Sequence, residues 1–267
     1  AFAANSLICR MALGQQLIDA ASFTFIRILA GAIMLLVLVA PRWRESRWAL
    51  DWKAVAALSF YMVCFSYAYL TLTTGTGALL MFGTVQLTMF VSAIRDGEKF
   101  PLLSWAGLCL AFVGIVYLVA PGVTAPDPLG AALMIVAGIG WGGYSLRGRS
   151  AEQPLQATAS NLAWSLPLTI VIGLPFVGDI DVSRSGVLLA IASGALATGV
   201  GYAIWYAALR GLRASQAATV QLSVPVLAAL GGTVLLMEEL TFRMVFASIL
   251  TLGGIWLLLA QRARGRA

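Results

Sequence analysis

The chain repeats itself inside its own apolar stretches. Tyr67-Ala68 followed by Thr84-Val85-Gln86-Leu87-Thr88 recurs as Tyr202-Ala203 followed by Thr219-Val220-Gln221-Leu222-Ser223, every match 135 positions on. Farther along, Glu98-Lys99-Phe100 and Gly114-Ile115 return as Glu238-Glu239-Leu240 and Gly254-Ile255 at a spacing of 140. One short match would be chance in so biased a sequence. Several in a single register, with one change of length between them, are not. Repetition on this scale fixes the architecture before any local signal does. In an apolar chain it also places any binding site between the two halves.

The chain is 60% hydrophobic and 10% charged, with a mean hydropathy of +0.91. Soluble domains are about 25% charged, so this one lacks the polar surface to meet water on all sides. A bilayer is the solvent it fits. Cys9, Cys64 and Cys109 sit singly in apolar runs and read as small core residues, without a disulfide or zinc framework. The net charge of +6 could mark a nucleic-acid partner, but its placement assigns it to membrane topology instead.

A spanning helix needs about 20 apolar residues. Runs broken by Gly, Pro and charge predict helices near 1–14, 20–40, 54–73, 76–95 and 101–120, then 128–147, 154–176, 185–209, 214–237 and 242–261. The fold expected is an all-α integral membrane protein of ten transmembrane helices, built as two inverted five-helix repeats. Residues 1–121 form the first repeat and 127–267 the second, with the Pro-rich stretch from Pro121 to Pro128 between them. Projecting the period back from Leu129 predicts a first helix truncated by about ten residues. No cleavable signal peptide is apparent at the start of the sequence.

The basic residues set the orientation. The even-numbered loops and the C-terminal tail hold Arg42, Arg44, Arg47, Lys53, Arg95, Lys99, Arg147, Arg149, Arg210, Arg213, Arg262, Arg264 and Arg266. The opposite side holds Arg184 and Arg243, and Arg10 and Arg27 fall within helices. That asymmetry predicts both termini in the cytoplasm. Five helices per half is an odd number, so the second half enters the membrane upside down relative to the first. Trp43, Trp48, Trp52, Trp105 and Trp256 read as an interfacial aromatic belt.

Gln86 and Gln221 fall near the middle of the fourth and ninth helices. A buried amide left unsatisfied in hydrocarbon costs several kcal/mol, so each must face a wet cavity or bond a neighbouring helix. Thr84, Thr88 and Ser92, matched by Ser215, Thr219 and Ser223, form stripes at i, i+4. Two residues along a helix is about 200° of rotation, so each Gln points away from its stripe. Small hydroxyl residues suit helix packing, which leaves the Gln faces for a cavity.

Tyr67, Tyr69, Tyr202 and Tyr206, with Trp141, Trp164 and Trp205, supply rings for an amphipathic solute or an ammonium group. Ordinary packing is the alternative for each. Asn5 is a further cavity candidate. Arg10 and Arg27 are intramembrane charges, which are functional candidates by default; they either attract a carboxylate or snorkel, with Asp19 as a possible partner. Glu98 and Glu238, at helix ends, read as caps or loop-fixing groups. The sequence has no His, and none of its 11 carboxylates falls near a helix centre. The usual proton relay of pumps is therefore missing. The shortage of Lys and Arg in the spans disfavours phosphate-bearing solutes.

Gly201-Tyr202-Ala203-Ile204-Trp205-Tyr206-Ala207-Ala208-Leu209, Ser215-Gln216-Ala217-Ala218, Pro225-Val226, Glu238-Glu239-Leu240-Thr241 and Gly253-Gly254-Ile255 together resemble the drug/metabolite transporter superfamily, specifically its EamA-type members. Arg27, in Phe25-Ile26-Arg27, sits where such proteins often carry an Arg on the second helix. Pro225 is matched by Phe90, where many members keep Pro in both halves. The resemblance implies a bacterial inner-membrane carrier that exports small amphipathic metabolites, amino acids and aromatic ones among them, by alternating access. Other metabolites or drug-like cations are the alternative cargo. Its partners would be a small-molecule substrate and the lipid bilayer, without cofactor, metal, nucleic acid or obligatory protein. The substrate-binding residues expected are Gln86, Gln221, Tyr67, Tyr202, Trp141, Trp164, Trp205, Asn5 and Arg27. An intramembrane enzyme would need a nucleophile with its base, or a metal site, and no HExxH or GxSxG occurs. A scaffold would not need paired midplane amides.

Overall fold

The computed structural model describes residues 1–41, 50–148, 151–173, 180–209 and 214–264. Among these residues the secondary structure is helical, with a single isolated β-bridge between Ile18 and Val182 and no strand. The helices are α1 (Phe2–Gly14), α2 (Ala20–Val39), α3 (Trp52–Ala68), α4 (Thr74–Arg95), α5 (Leu102–Val119), α6 (Pro128–Gly148), α7 (Pro154–Gly173), α8 (Arg184–Ile191), α9 (Gly201–Leu209), α10 (Ala214–Leu236) and α11 (Phe242–Arg264). A π-helical segment, Ala192–Val200, joins α8 to α9 without a break, so the described residues form ten rods. Among the described residues, six stretches are long and apolar enough to cross a membrane, and Trp52–Ala68 and Val220–Leu236 are shorter apolar helices.

Side-chain caps start several rods where the sequence offers Asp, Thr or Ser. Asp19 accepts from the Ser22 amide, Asp51 from Lys53 and Ala54, Thr73 from Thr76, and Ser183 from Gly186. Each satisfies an amide that the first helical turn leaves free. The turns then sort into two faces. On one, Asp19 N–H donates to Asp181 O and Ser183 N–H to Leu17 O, while Thr71 donates to Asp127 and Arg243 to the carbonyls of Leu118 and Ala120. On the other, Arg147 at the end of α6 pairs with Asp51 at the start of α3.

α4 lies at the centre, with 61% of its apolar window buried, and α5 at the periphery with 33%. Outward-facing Ile33, Val37, Phe112, Leu196, Ile204 and Ile249 give the apolar surface that lipid requires. α5 packs on α11 through glycine. A Cβ on Gly107 would lie 2.6 Å from the Gly254 carbonyl oxygen, and one on Gly254 would lie 2.5 Å from the Ala111 amide nitrogen. Backbone meets backbone here, the arrangement that small residues permit in membranes. The repeat-matched Ile115 and Ile255 are both buried.

Three sequence expectations change. α3 ends at Ala68, five residues before the predicted 73, because Arg10 reaches across from α1 and takes the carbonyls of Tyr69 and Leu70. A cation at a helix C-terminus satisfies the free carbonyls and the dipole together. Cys109 is exposed on the outer side of α5 and is not a core residue, whereas Cys9 and Cys64 are buried. The predicted eighth helix contains the wide π-helical turn, which periodicity did not show. Trp52, Trp105 and Trp256 are exposed, and Trp43, Trp48 and the side chains of Ser215 and Thr219 fall outside the described residues.

Candidate substrate site

One turn of α1 places Asn5 and Cys9 on the same inward face. Both are buried, and Ser193 of the π-helical segment donates to Asn5 Oδ1 at 2.7 Å. The Cys9 thiol lies 3.7 Å from the Ser193 hydroxyl. The π-helical segment reaches this depth because Gly194 abuts α2 so closely that a Cβ there would overlap the Arg27 carbonyl oxygen. Wide turns of this kind recur at functional sites.

Arg27 follows on α2 with 0% of its surface exposed. Its Nη2 donates to the Tyr61 hydroxyl at 3.3 Å and its Nη1 to Cys9 Sγ at 3.8 Å. The guanidinium carbon sits 4.9 Å from the centroid of Phe65 and 5.8 Å from that of Tyr61. Nε has no partner. Asp19 does not pair with it: Oδ1 caps Ser22, and Oδ2 makes no hydrogen bond. Arg27 is therefore neither snorkelling nor neutralised. Desolvating a cation costs several kcal/mol, whereas a cation–π contact returns about 0.5–2 kcal/mol. The aromatic faces lower the cost of the charge without cancelling it.

A ring cluster continues from Tyr61. Trp141 of α6 lies 5.0 Å from Tyr61 and stacks on Tyr202 of α9 at 5.4 Å and 26°. Phe2 sets its edge against Trp141 at 6.3 Å and Trp205 at 5.6 Å. Beyond the rings, Tyr144 donates to Thr158 at 2.9 Å, and Tyr206 and Thr158 share a bond of 3.0 Å.

Asn5, Arg27, Trp141, Tyr202 and Trp205 thus come together. Trp164 does not: it is 46% exposed and packs edge-on against Trp52 on the outer surface. Tyr67 is partly buried near the C-terminal end of α3, whereas its sequence match Tyr202 is buried in the last third of the continuous rod that α8, the π-helical segment and α9 form. Gln86 is buried on α4 and Gln221 half-buried on α10, and neither side chain makes a hydrogen bond among the described residues. The neighbouring Thr84 and Thr88 pack against α6, where a Cβ on Gly138 would lie 2.7 Å from Thr84 Cβ and one on Gly142 2.9 Å from Thr88 Cβ. Sequence reasoning missed Tyr61, Phe65 and Ser193 and treated Cys9 as filler. The one available signal was the four-residue spacing of Tyr61 and Phe65 on a helix beside a buried charge.

A polytopic membrane protein with a buried polar and aromatic core between its helices is the class that this fold and site define. Residues 128–260 match the EamA-like transporter family. An uncharacterized protein of Pseudomonas aeruginosa is 47% identical over all of this chain and 93% of its own length. An uncharacterized transporter of Archaeoglobus fulgidus is 29% identical over 78% of this chain and 76% of its own. A probable amino-acid metabolite efflux pump of Salmonella typhimurium is 24% identical over 68% and 66%. A crystal structure at 18% identity superposes with a TM-score of 0.68 over 97% of this chain and 96% of its own, which shows a shared fold. The chain belongs to the EamA-like transporter family; it is a transporter and not an enzyme.

Proposed function

We propose that this chain exports small amphipathic metabolites, amino acids foremost, across a bacterial inner membrane by alternating access between two inverted five-helix halves. The observation that carries this reading is the buried core, to which both halves contribute: Asn5 bonds Ser193, and Tyr61 meets Trp141, which stacks on Tyr202. Repeat-based carriers hold their solutes between such halves. The helix pairings support the two-half arrangement. α3 packs on α6 as α1 packs on α8 and the π-helical segment; α4 packs on α6 as α1 packs on α10; α2 packs on the π-helical segment as α7 packs on α3. Each of these pairs has its counterpart five rods on, and α5 on α11, α2 on α7 and α4 on α10 are their own counterparts. The name carried by the Salmonella relative favours amino acids. A cationic cargo fits less well, because among the described residues the fully buried charge in the core, Arg27, is positive.

Counterflow in proteoliposomes tests the reading. Vesicles preloaded with an unlabelled amino acid should accumulate its labelled form, and vesicles preloaded with a lipophilic cation should not accumulate that cation. Cation counterflow without amino-acid counterflow would replace this reading with the alternative cargo. For orientation, a cysteine at Thr124 should react with an impermeant reagent from outside the cell and one at Asp96 should not, in a background with Cys109 replaced by Ala.

A further inference from the structure

We propose that Arg27 is the anchor for a single carboxylate on a substrate whose remaining body is aromatic, and that an α-ammonium on that substrate is dispensable. The proposal rests on the export reading above and names the substrate class of the same site.

A guanidinium carries five N–H groups in a planar fork. Among the described residues Arg27 meets one phenol and one thiol as acceptors, and its Nε meets none. A carboxylate is the group whose two oxygens match that fork. It also supplies the charge that the burial of Arg27 lacks. Around the guanidinium stand Cys9, Asn5, Ser193, Tyr61, Phe65 and Tyr202, none of them acidic. The nearest acid along the chain, Asp19, is committed to the Ser22 amide. The other described carboxylates lie in turns and at helix ends. An ammonium on the solute would therefore meet ring faces and an Asn5 oxygen that already accepts from Ser193. Tyr61, Trp141 and Tyr202 are buried and pack on one another beside Arg27, so an aromatic body would bind by inserting among these rings. Aromatic amino acids and aromatic carboxylates that lack the ammonium should share this site, and amines should not.

The test uses phenylalanine, phenylacetate and phenethylamine, which keep one ring and vary its charged groups. Each is titrated against the melting temperature of the full chain in detergent, and each competes with labelled phenylalanine in counterflow. Phenylacetate should compete within about threefold of phenylalanine, and phenethylamine about tenfold or more weakly, the weight of one charge-assisted contact. Arg27→Met should melt at or above the parent temperature without ligand, since a buried unneutralised charge is gone, and should lose the response to phenylacetate. Arg27→Lys, which keeps charge but not the fork, should respond weakly. Phenethylamine competing as well as phenylacetate overturns the proposal, and so does an Arg27→Met variant that still responds to phenylacetate. The competition in the parent protein decides the matter even if a variant fails to fold. Phenylalanine counterflow untouched by phenylacetate removes the anchor and leaves the export reading standing. Phenylacetate binding without any counterflow does the reverse, and binding of none of the three removes both.

Discussion

Arg10 on α1 meets Glu238, in the turn between α10 and α11, at 3.1 Å, and the other oxygen of Glu238 accepts from the Thr74 amide at 2.8 Å. One carboxylate therefore ties together the end of the first helix, the start of α4 and the final turn. The two side chains are 21% and 12% exposed, so solvent screens the pair only in part.

Glu238→Gln should keep an acceptor for Thr74 but leave Arg10 without a countercharge. A loss of about 1–3 kcal/mol is expected for such a charged, part-buried hydrogen bond, read as a lower unfolding temperature in detergent. Arg10→Gln should lose a comparable amount, because it also releases the Tyr69 and Leu70 carbonyls. The double variant should lose less than the two added together, as residues sharing one network do; simple additivity would show that the pair does not act as a unit.

Gly107→Ala and Gly254→Ala should each force α5 and α11 apart, since the added carbon meets backbone atoms that cannot rotate away. Overpacking of this kind costs about 1–3 kcal/mol. Gly253→Ala is the control, because a Cβ there meets nothing within 4 Å. Equal melting temperatures for Gly253→Ala and Gly254→Ala would contradict the packing described.

Arg147 bonds Asp51 at 2.7 and 3.1 Å, and this contact, aided by the Ala54 and Lys53 amides, holds the Asp51 carboxyl below its ordinary range. A depressed folded-state value gives stabilisation that is full above the unfolded value of about 3.9 and is lost as pH falls through the folded one. Asp51→Asn keeps the helix cap and removes the charge. The pair is 44% and 39% exposed, so the difference from the parent should be about 0–1 kcal/mol at neutral pH and should vanish in acid. A difference that grows on acidification would show the sign to be wrong.

Gln86→Leu and Gln221→Leu should fold as well as the parent, because neither amide bonds a neighbour among the described residues. If the amides hold the solute, each loss is about 0.5–1.5 kcal/mol, a three- to tenfold weakening of substrate affinity. Unchanged affinity in a stable variant would remove that residue from the site.

The rods were legible because Gly, Pro and charge interrupt apolar runs wherever the chain turns. Arg27 was legible because a lone charge stands out in such a run. The rings were not. Phe60 and Tyr61 are neighbours in one apolar helix, yet Phe60 is 51% exposed and Tyr61 is 4% exposed. Lipid and protein core are both apolar, so hydropathy does not distinguish the two sides of a helix, and Trp164 was grouped with the interior rings for that reason. The end of α3 was hidden differently. It is set by Arg10, almost sixty residues earlier in the chain, and no local signal reports a partner so distant. The π-helical segment reads as an ordinary run of small residues, and its identity depends on how closely Gly194 meets α2.

The seam between α5 and α11 has a mechanical consequence. Where Gly107, Ala111 and Gly254 meet, backbone touches backbone, and at that point no side chain lies between the two helices that could shear or repack. Under the alternating-access reading proposed above, this seam would serve as the fulcrum, and the parts that swing would be the helices carrying Arg27 and the rings around it.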